Sequence, residues 1–232
     1  MTFNWKGNNK TGSIGVPCPG TEVRVEDDGE LSFKRANIMK GYYNNPEANA
    51  EVFDGDWFKT GDLGRIDEDG YIHITGRKKE IYVSSGGKNV APLVIEETMK
   101  SIPILSQFFL VGDGRKYCSA LVTLDVGVIL RDNLGMNPDK VPKDPIEQIE
   151  ELERRGHKLS DFVESEEIRS DIESQIMELN KRFMNPEQVK KFTILPRDLN
   201  IDSGELTPTL KIRRKQIREN WADEIEAMYS DA

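Results

Sequence analysis

Two short stretches of the sequence hold charged side chains at loop positions where they could do chemistry. In WFKTGDLGRID, Asp62 follows Gly61 at the entry to a predicted hairpin. A carboxylate held there can accept two hydrogen bonds from a vicinal diol such as a ribose. The alternative is an Asx turn in which Asp62 satisfies its own backbone.

In GRKKE, Arg77 follows a glycine, and its five-donor guanidinium suits phosphate or ribose oxygens. The alternative for Arg77 is an exposed loop charge.

The stretch SSGGKN joins Gly86, Gly87 and Lys88 in a run of small residues. Serines and glycines before a lysine are typical of phosphate loops, but the Walker spacing GxxxxGK[ST] is absent because Lys88 is followed by Asn89. Paired glycines also permit the close approach of a neighbouring chain or a slender ligand. By itself this stretch does not distinguish the two interpretations.

The stretch GELTPTLKIRRKQI ends a loop with Lys211, just before a predicted helix. An ammonium on a long stem at this position can reach into a site formed elsewhere. The cations after it, among them Arg213, Arg214, Lys215 and Arg218, are typical of a solvated helix face. Phosphate contact is the alternative for this basic run.

The overall charge of the chain limits which partners are expected. The 232 residues carry a net charge of −9, which disfavours a general binder of nucleic acid or of anionic membranes because an acidic body repels both. Any anion site must therefore be local. Only Cys18 and Cys118 are present, without CxxC spacing, so a reducing cytosol is expected rather than a disulfide framework or a structural zinc site.

The first third of the chain is predicted to be a small antiparallel β unit. TEVRVE and GELSFKR are strand-like runs around DDG, and DLGRIDEDGYIHITG repeats this hairpin pattern. NNPEANAEVF predicts a short helix with Asn45 as its cap and Pro46 at its first position. MTFNWKGNNKTGSIG predicts loop without an apolar signal core, and we expect the chain to be a piece of a longer protein.

The rest of the chain predicts helices around a second sheet. Pro92 opens an amphipathic helix that ends near Ser101, and QFFLVG, CSALVTLD and KFTILP predict three strands. Residues 125–134 predict a short helix, residues 165–184 an amphipathic one, and IRRKQIRENWADEIEAMY a terminal one. The predicted fold class is α+β, with a boundary at residues 76–79.

Several separated motifs occur in a fixed order along the chain, and together they are more specific for one family than any of them alone. TGDLGRIDEDGYIHITGRKKEIYVSSGGKNVAP, followed by a terminal GELTPTLKIRR, resembles the adenylate-forming acyl-activating superfamily of acyl-CoA synthetases, luciferases and peptide-synthetase adenylation domains. KKEIYVSSGGKNVAP, ELTPTLK and a helical insertion near residues 131–165 are most similar to the long-chain fatty acid–CoA ligases. The resemblance covers nearly the whole chain. It implies that residues 1–78 are the distal β subdomain that ends the large adenylation domain, and that residues 79–232 are its mobile C-terminal domain.

The resemblance also implies roles for single residues near the predicted boundary. Asp62 matches the family's ribose-binding aspartate, and Arg77 matches the arginine that contacts ribose or phosphate. Lys79 matches the hinge residue about which the C-terminal domain turns.

Further roles implied by the resemblance fall in two later loops. Gly87, with Gly86 and Lys88 beside it, matches the glycine next to the tunnel through which CoA enters. Lys211 matches the catalytic lysine of adenylation. Members of the family often have Gly-Lys at this motif, where the present chain has Leu210 before Lys211.

The implied reaction joins a fatty acid to CoA, converting ATP to AMP and diphosphate through an acyl-adenylate. The family's Ser/Thr/Gly-rich phosphate loop and its aromatic-Gly-x-Thr-Glu motif do not occur in this sequence. We therefore expect the chain alone to be inactive, to require the N-terminal adenylation domain in cis, and to bind no Mg²⁺, which the full-length parent would use. ATP and CoA are the expected cosubstrates. The expected location is the cytoplasm, and a fatty-acid substrate is compatible with peripheral contact at the inner face of a membrane.

Two alternatives stay open at this point. The first is another acid-activating ligase of the superfamily, for a short-chain or aryl acid, because the acyl pocket would lie outside this chain. The second is a non-enzymatic domain that binds a nucleotide or a protein. A parent sequence without the phosphate loop would favour the second alternative.

Overall fold

The computed structural model describes residues 1–230, and the chain divides into two compact units. The first unit comprises Met1–Ile81 and Ala91–Val94, and the second comprises Tyr82–Val90 and the chain from Ile95 onward. Sheets and helices are mixed along the chain, which confirms the predicted α+β class.

The first unit is built on a five-stranded antiparallel sheet. Its elements are β1 (Thr2–Phe3), β2 (Val16–Pro17), β3 (Glu22–Val25), β4 (Glu30–Lys34), α1 (Pro46–Val52), β5 (Phe53–Asp54), β6 (Trp57–Ile66), β7 (Ile72–Arg77) and a 3-10 turn (Lys78–Glu80). The sheet runs in the order β3-β4-β6-β5, and β7 also pairs with β6. Its core is formed by Leu31, Phe33 and Ile72.

Local sequence explains the hairpins and the helix of this sheet. Gly29 and Gly70 have φ angles of 86° and 82°, a conformation that glycine adopts without steric penalty and that tight turns require. The side chain of Asn45 accepts a hydrogen bond from the Ala48 amide at 3.1 Å, and Pro46 begins α1. The predicted hairpins and helix cap are therefore confirmed.

The N-terminal segment differs in part from the loop that the sequence predicts. Thr2 and Phe3 pair antiparallel with Pro17 and Val16. The chain approaches closely here, since a Cβ added to Gly15 would lie 2.2 Å from the carbonyl carbon of Phe3. Two residues are too few to show strand alternation, so the sequence did not predict this pairing. Apart from Thr2–Phe3 and an isolated bridge between Trp5 and Asn8, residues 1–15 are loop and turn, as predicted.

From residue 82 onward the elements surround a three-stranded sheet. They are β8 (Tyr82–Val83), β9 (Asn89–Val90), α2 (Pro92–Met99), β10 (Leu105–Val111), β11 (Cys118–Leu124), α3 (Val126–Val128), a π turn (Ile129–Asn133), a 3-10 turn (Pro138–Lys140), α4 (Pro145–Arg154), α5 (Leu159–Val163), α6 (Glu166–Asn180), a 3-10 turn (Asn185–Glu187), β12 (Val189–Ile194), α7 (Arg214–Asn220) and α8 (Ala222–Ala227). β10 pairs antiparallel and β12 parallel with β11. β8 and β9 form a separate hairpin.

Two apolar clusters hold this second unit together. Ile95, Leu152 and Ile172, from α2, α4 and α6, belong to one cluster with side chains of the sheet. Ile217 and Ile225, from α7 and α8, belong to the other. The sheet is therefore flanked by helices, as the sequence predicts.

The single terminal helix that the sequence predicts is two short helices, and Trp221 separates them. Trp221 has φ −116° and ψ 31°, outside the helical region. Its indole is buried, and Nε1 donates to Oε1 of Glu205 at 2.8 Å. The apolar pattern of the sequence does not reveal this break, because Ile217, Trp221 and Ile225 keep the helical spacing of four residues across it.

Candidate functional site

Asp62 and Arg77 face each other at one end of the β6–β7 hairpin. They are register partners, and Nε of Arg77 lies 3.1 Å from Oδ1 of Asp62. The Asp62 side chain is 30% exposed and the Arg77 side chain 60%. The structure thus brings together a carboxylate acceptor and a guanidinium donor, both open to solvent.

Buried groups beneath Asp62 fix the backbone that carries it. Gly61 has a φ of 75°, and its amide donates to Oε1 of Glu30 at 2.8 Å. Oε2 of Glu30 accepts a hydrogen bond from Nζ of Lys78 at 2.9 Å. The hydroxyl of Thr60 donates to the Leu31 carbonyl and accepts from the Asp62 amide, at 2.8 and 3.0 Å. Asp62 does not form an Asx turn, because the amide two residues on, that of Gly64, donates to the Gly29 carbonyl at 3.0 Å.

Lys78 contacts both Glu30 and a second carboxylate, that of Asp28. The hydrogen bonds that the Lys78 ammonium donates to Asp28, and then to Glu30, raise its pKa. The same contact with Lys78 lowers the pKa of Asp28. Sequence reasoning missed Glu30, Thr60 and Lys78, because their contacts span up to 48 positions along the chain and no local pattern reports them.

A cavity of about 500 Å³ opens beside the Asp62–Arg77 pair. Polar and charged side chains dominate its wall, among them Glu30, Tyr42, Thr60, Asp62, Arg77 and Lys79. Such a wall offers both donors and acceptors to a polar ligand. Lys79 lies in the 3-10 turn, and its side chain is 92% exposed with Nζ 4.0 Å from Oε2 of Glu51.

Gly86, Gly87 and Lys88 form the exposed turn of the β8–β9 hairpin. The amide of Gly87 donates to the Ser84 carbonyl at 2.8 Å, and the Ser84 amide donates to the Lys88 carbonyl at 2.9 Å. Gly87 has a φ of 72°, and a Cβ added there would meet nothing within 4 Å. The backbone conformation, and not lack of space, therefore requires glycine at this position in the structure.

Lys211 ends a tight loop in the second unit. The amide of Thr207 donates to the Lys211 carbonyl at 2.8 Å, and the Lys211 amide donates to Oγ1 of Thr207 at 3.0 Å. Leu210 has a φ of 59°, in the left-handed region that favours glycine. Lys211 is exposed, and within residues 1–230 no ion pair is made by its ammonium.

The base of the Lys211 loop is held by a buried carboxylate. Glu205 is fully buried and accepts hydrogen bonds from Nη1 and Nη2 of Arg197 at 2.7 and 2.8 Å. Trp221 and Asn220 also donate to it, at 2.8 and 3.1 Å. Burial raises the pKa of Glu205, but the hydrogen bonds from Arg197 and Asn220 outweigh burial, so its pKa is lowered. The carboxylate stays ionised and fixes the loop.

Two features are absent from residues 1–230, a metal-binding cluster and a membrane-spanning helix. Within residues 1–230, no group of three or more His, Cys, Asp or Glu side chains could hold a metal ion. None of the helices in this part of the chain is long and apolar enough to cross a membrane.

Comparison with known proteins identifies the family. Residues 152–232 match the family described as AMP-binding enzyme C-terminal domain. A long-chain-fatty-acid–CoA ligase of Mycobacterium tuberculosis is 39% identical over 226 residues, which are 95% of this chain and 34% of that protein. The chain belongs to the adenylate-forming, AMP-binding superfamily.

Other relatives of this chain carry the same functional name. A long-chain-fatty-acid–CoA ligase of Gallus gallus is 36% identical over 88% of this chain and 27% of its own length. One of Homo sapiens is 34% identical over 97% of this chain and 32% of its own length. The chain thus spans about a third of the length of the curated relatives it matches.

Solved structures of adenylate-forming proteins share the fold. The A domain of a carboxylic acid reductase from Segniliparus rugosus, in complex with AMP and a co-purified carboxylic acid, matches with a TM-score of 0.67. This match has 21% identity and covers 98% of this chain and 33% of that one. O-succinylbenzoate coenzyme A synthetase from Bacillus subtilis, in complex with AMP, has a TM-score of 0.57 and 23% identity over 90% of this chain and 36% of that one.

Proposed function

We propose that this chain is the C-terminal part of an ATP-dependent long-chain fatty acid–CoA ligase. The observation that carries the proposal is the 39% identity, over 95% of the chain, to a protein named as such a ligase. The parent converts fatty acid, ATP and CoA into acyl-CoA, AMP and diphosphate through an acyl-adenylate. The missing N-terminal adenylation domain supplies the acyl pocket and the Mg²⁺–triphosphate site.

In this proposal the Asp62–Arg77 pair binds the nucleotide. The Asp62 carboxylate accepts hydrogen bonds from the two ribose hydroxyls, and the Arg77 guanidinium donates to ribose or phosphate oxygens. Support comes from the exposed donor and acceptor groups, 3.1 Å apart, on the wall of a cavity lined mainly by polar and charged residues. The buried Glu30 and its hydrogen bond to the Gly61 amide hold the Asp62 backbone in place before the nucleotide binds.

Lys211 and Gly87 act in different half-reactions of the proposed cycle. During adenylation, the Lys211 ammonium offsets the negative charge that develops as the fatty-acid carboxylate attacks the α-phosphate. After diphosphate leaves, residues 79–232 turn about Lys79. The turn formed by Gly86, Gly87 and Lys88 then lines the passage of the CoA thiol to the acyl-adenylate carbonyl. A moving domain supplies each group in turn, because the two steps share one pocket.

The proposed location of the parent is the cytoplasm, with peripheral contact at the inner face of a membrane from which it draws fatty acid. The alternatives concern the substrate: a short-chain or aryl acid in place of a long-chain fatty acid, or no acid at all in a domain that only binds nucleotide or protein.

The proposal is tested with the purified full-length parent. Palmitate, ATP and Mg²⁺ should release diphosphate and form a bound acyl-adenylate, and added CoA should convert this adenylate to palmitoyl-CoA. A series of acetate, benzoate and palmitate decides the acid class. The 232-residue chain alone should release no diphosphate. Nucleotide binding by the parent without turnover of any acid would instead favour the non-enzymatic alternative.

A further inference from the structure

A buried cluster in the second unit begins at α2, where Glu96 points into the protein. The side chain of Glu96 is 5% exposed and that of its partner Arg214 is 16% exposed. Nη1 and Nη2 of Arg214 donate to Oε1 and Oε2 of Glu96 at 2.9 and 2.5 Å. A bidentate pair of this kind fixes the relative orientation of the two planar groups.

Arg214 connects this pair to the loop that carries Lys211. It is the first residue of α7 and the third residue after Lys211. The intervening backbone is itself held, because the Arg213 amide donates to the Glu205 carbonyl at 2.8 Å. With few free torsions in between, the position of the Arg214 guanidinium restricts where the Lys211 loop can lie.

The same carboxylate also reaches the hairpin that carries Gly86 and Gly87. Oε1 of Glu96 accepts a hydrogen bond from the Leu110 amide at 2.8 Å, and the Tyr82 hydroxyl donates to the Leu110 carbonyl at 2.5 Å. Nη1 of Arg214 lies 3.3 Å from the Tyr82 hydroxyl oxygen, to which it donates. Burial raises the pKa of the Tyr82 phenol, so the hydroxyl keeps its proton. Tyr82 is the first residue of β8.

We propose that Glu96 is a positioning residue that holds the Lys211 loop and the Gly86–Gly87 turn as one rigid piece. The significance of this coupling rests on the proposed function, in which Lys211 and Gly87 serve successive half-reactions. A domain that presents two loops alternately must keep both at fixed positions on its own body. Glu96 does this from the interior, without itself contacting a substrate.

The coupling is tested by amide hydrogen exchange on the 232-residue chain with Glu96→Gln. Gln keeps the size of the side chain but removes the charge that holds Arg214. The probes are the hydrogen-bonded amides of Ser84 and Ser85 in the hairpin, and of Thr207 and Arg213 in the Lys211 loop. All four should exchange about 10-fold faster, the equivalent of one lost hydrogen bond to a charged group. The amides of β11 should be unaffected.

The Arg197–Glu205 pair, which also holds the Lys211 loop, provides a matched control. Arg197→Met removes the bidentate partner of Glu205, which holds that loop and has no contact with the hairpin among its hydrogen bonds. Exchange should therefore rise at Thr207 and Arg213 and stay unchanged at Ser84 and Ser85. Should Glu96→Gln fail to fold, Tyr82→Phe removes only the hydroxyl and should loosen Ser84 and Ser85 first.

Two results would overturn the role of Glu96. One is faster exchange in Glu96→Gln at only one of the two loops, and the other is a uniform rise that includes β11. In the full-length parent, Glu96→Gln should slow both half-reactions by about 10- to 100-fold, as expected for misplaced catalytic groups. A parent with no adenylation activity would contradict the proposed function, whereas the exchange data would still decide the coupling.

Discussion

Asp62 and Arg77 stand directly opposite each other on β6 and β7, with Nε of Arg77 3.1 Å from Oδ1 of Asp62. Both side chains are open to solvent, and ion pairs of this kind contribute at most about 1 kcal/mol to the free energy of folding. The backbone that carries Asp62 is nevertheless held by the buried Glu30. In the proposed function, the position of this pair therefore matters for nucleotide binding more than for the stability of the fold.

We expect Asp62→Asn to weaken nucleotide binding by the full-length parent without unfolding it. Losing a charge-assisted hydrogen bond costs about 1.5–3 kcal/mol, or roughly 10- to 100-fold in affinity. Titration calorimetry with ATP measures the loss, and thermal melting of the 232-residue chain checks the fold. Asp56→Asn is the control, since Asp56 is also exposed and lies 3.4 Å from Lys34. Equal ATP affinity of wild type and Asp62→Asn would remove Asp62 from the site.

We expect Lys211→Ala to slow acyl-adenylate formation by on the order of 10²–10³-fold, the usual effect of removing one preorganised donor. Thioester formation from supplied acyl-adenylate should be nearly unchanged, because in the proposed cycle Lys211 acts only in the first step. Single-turnover release of diphosphate and of acyl-CoA measures the two steps. Lys215→Ala, at an exposed position on α7, should leave both rates intact. If both half-reactions fell equally in Lys211→Ala, Lys211 would be structural.

We expect Gly87→Leu to impair thioester formation in the parent and to leave adenylation largely unchanged. In the proposed passage a leucine side chain would obstruct the thiol, whereas in the structure an added Cβ meets nothing within 4 Å. The left-handed φ of 72° adds roughly 1–2 kcal/mol of strain. Diphosphate released in a burst without matching acyl-CoA is the expected signature.

Gly86→Ala is the control that helps to decide whether Gly87 lines the passage for CoA or only forms the turn. An added Cβ at Gly86 would lie 3.9 Å from Oγ of Ser84, and Gly86 has no left-handed φ, so this variant should retain its melting temperature. A parallel loss of both half-reactions in Gly87→Leu, with a lowered melting temperature, would assign Gly87 to the turn and not to the passage for CoA.

We expect Leu210→Gly to leave the stability of the 232-residue chain unchanged or raise it by up to about 1 kcal/mol. Relief of the left-handed φ of 59°, worth roughly 1–2 kcal/mol, outweighs the 0.5–1 kcal/mol that glycine loses in conformational entropy. Urea unfolding measures the change. Met177→Gly on α6 is the matched control, because Met177 is also exposed but helical, and should destabilise by about 1 kcal/mol. Similar destabilisation by both variants would contradict the strain at Leu210.

We expect Cys118 to make the chain less stable at alkaline pH. Burial, and then the charge of Glu187, raises the pKa of this thiol to about 11 from an ordinary value of 9. Because the folded pKa is the higher one, its contribution to stability is complete below pH 9 and is lost as the pH rises through 11. The melting temperature of the wild type should therefore fall more steeply between these pH values than that of Cys118→Ala. Cys18→Ala should behave as the wild type, and parallel curves for all three would refute the effect.

The sequence predicted the local features of the fold and missed its long-range supports. The Asp-Gly pairs predicted the hairpin turns at Gly29 and Gly70, and Asn45 before a proline predicted the cap of α1. Each of these signals depends on only a few neighbouring residues. The proposed roles of Asp62 and Lys211 came from the family resemblance and not from local sequence patterns. The buried carboxylates Glu30 and Glu96 had no local signal, since their partners Lys78 and Arg214 lie 48 and 118 positions away along the chain.

The hydrogen bond that the Leu110 amide donates to Glu96, and the one that its carbonyl accepts from Tyr82, also bear on aggregation. β10 is an outer strand of its sheet, and an open strand edge is a template on which another chain can pair. At Leu110 both the amide and the carbonyl are already engaged by side chains, so an incoming strand would have to displace a carboxylate and a phenol before it could add to this edge. Variants that remove either side chain should therefore associate more readily at high protein concentration, even where the native fold survives.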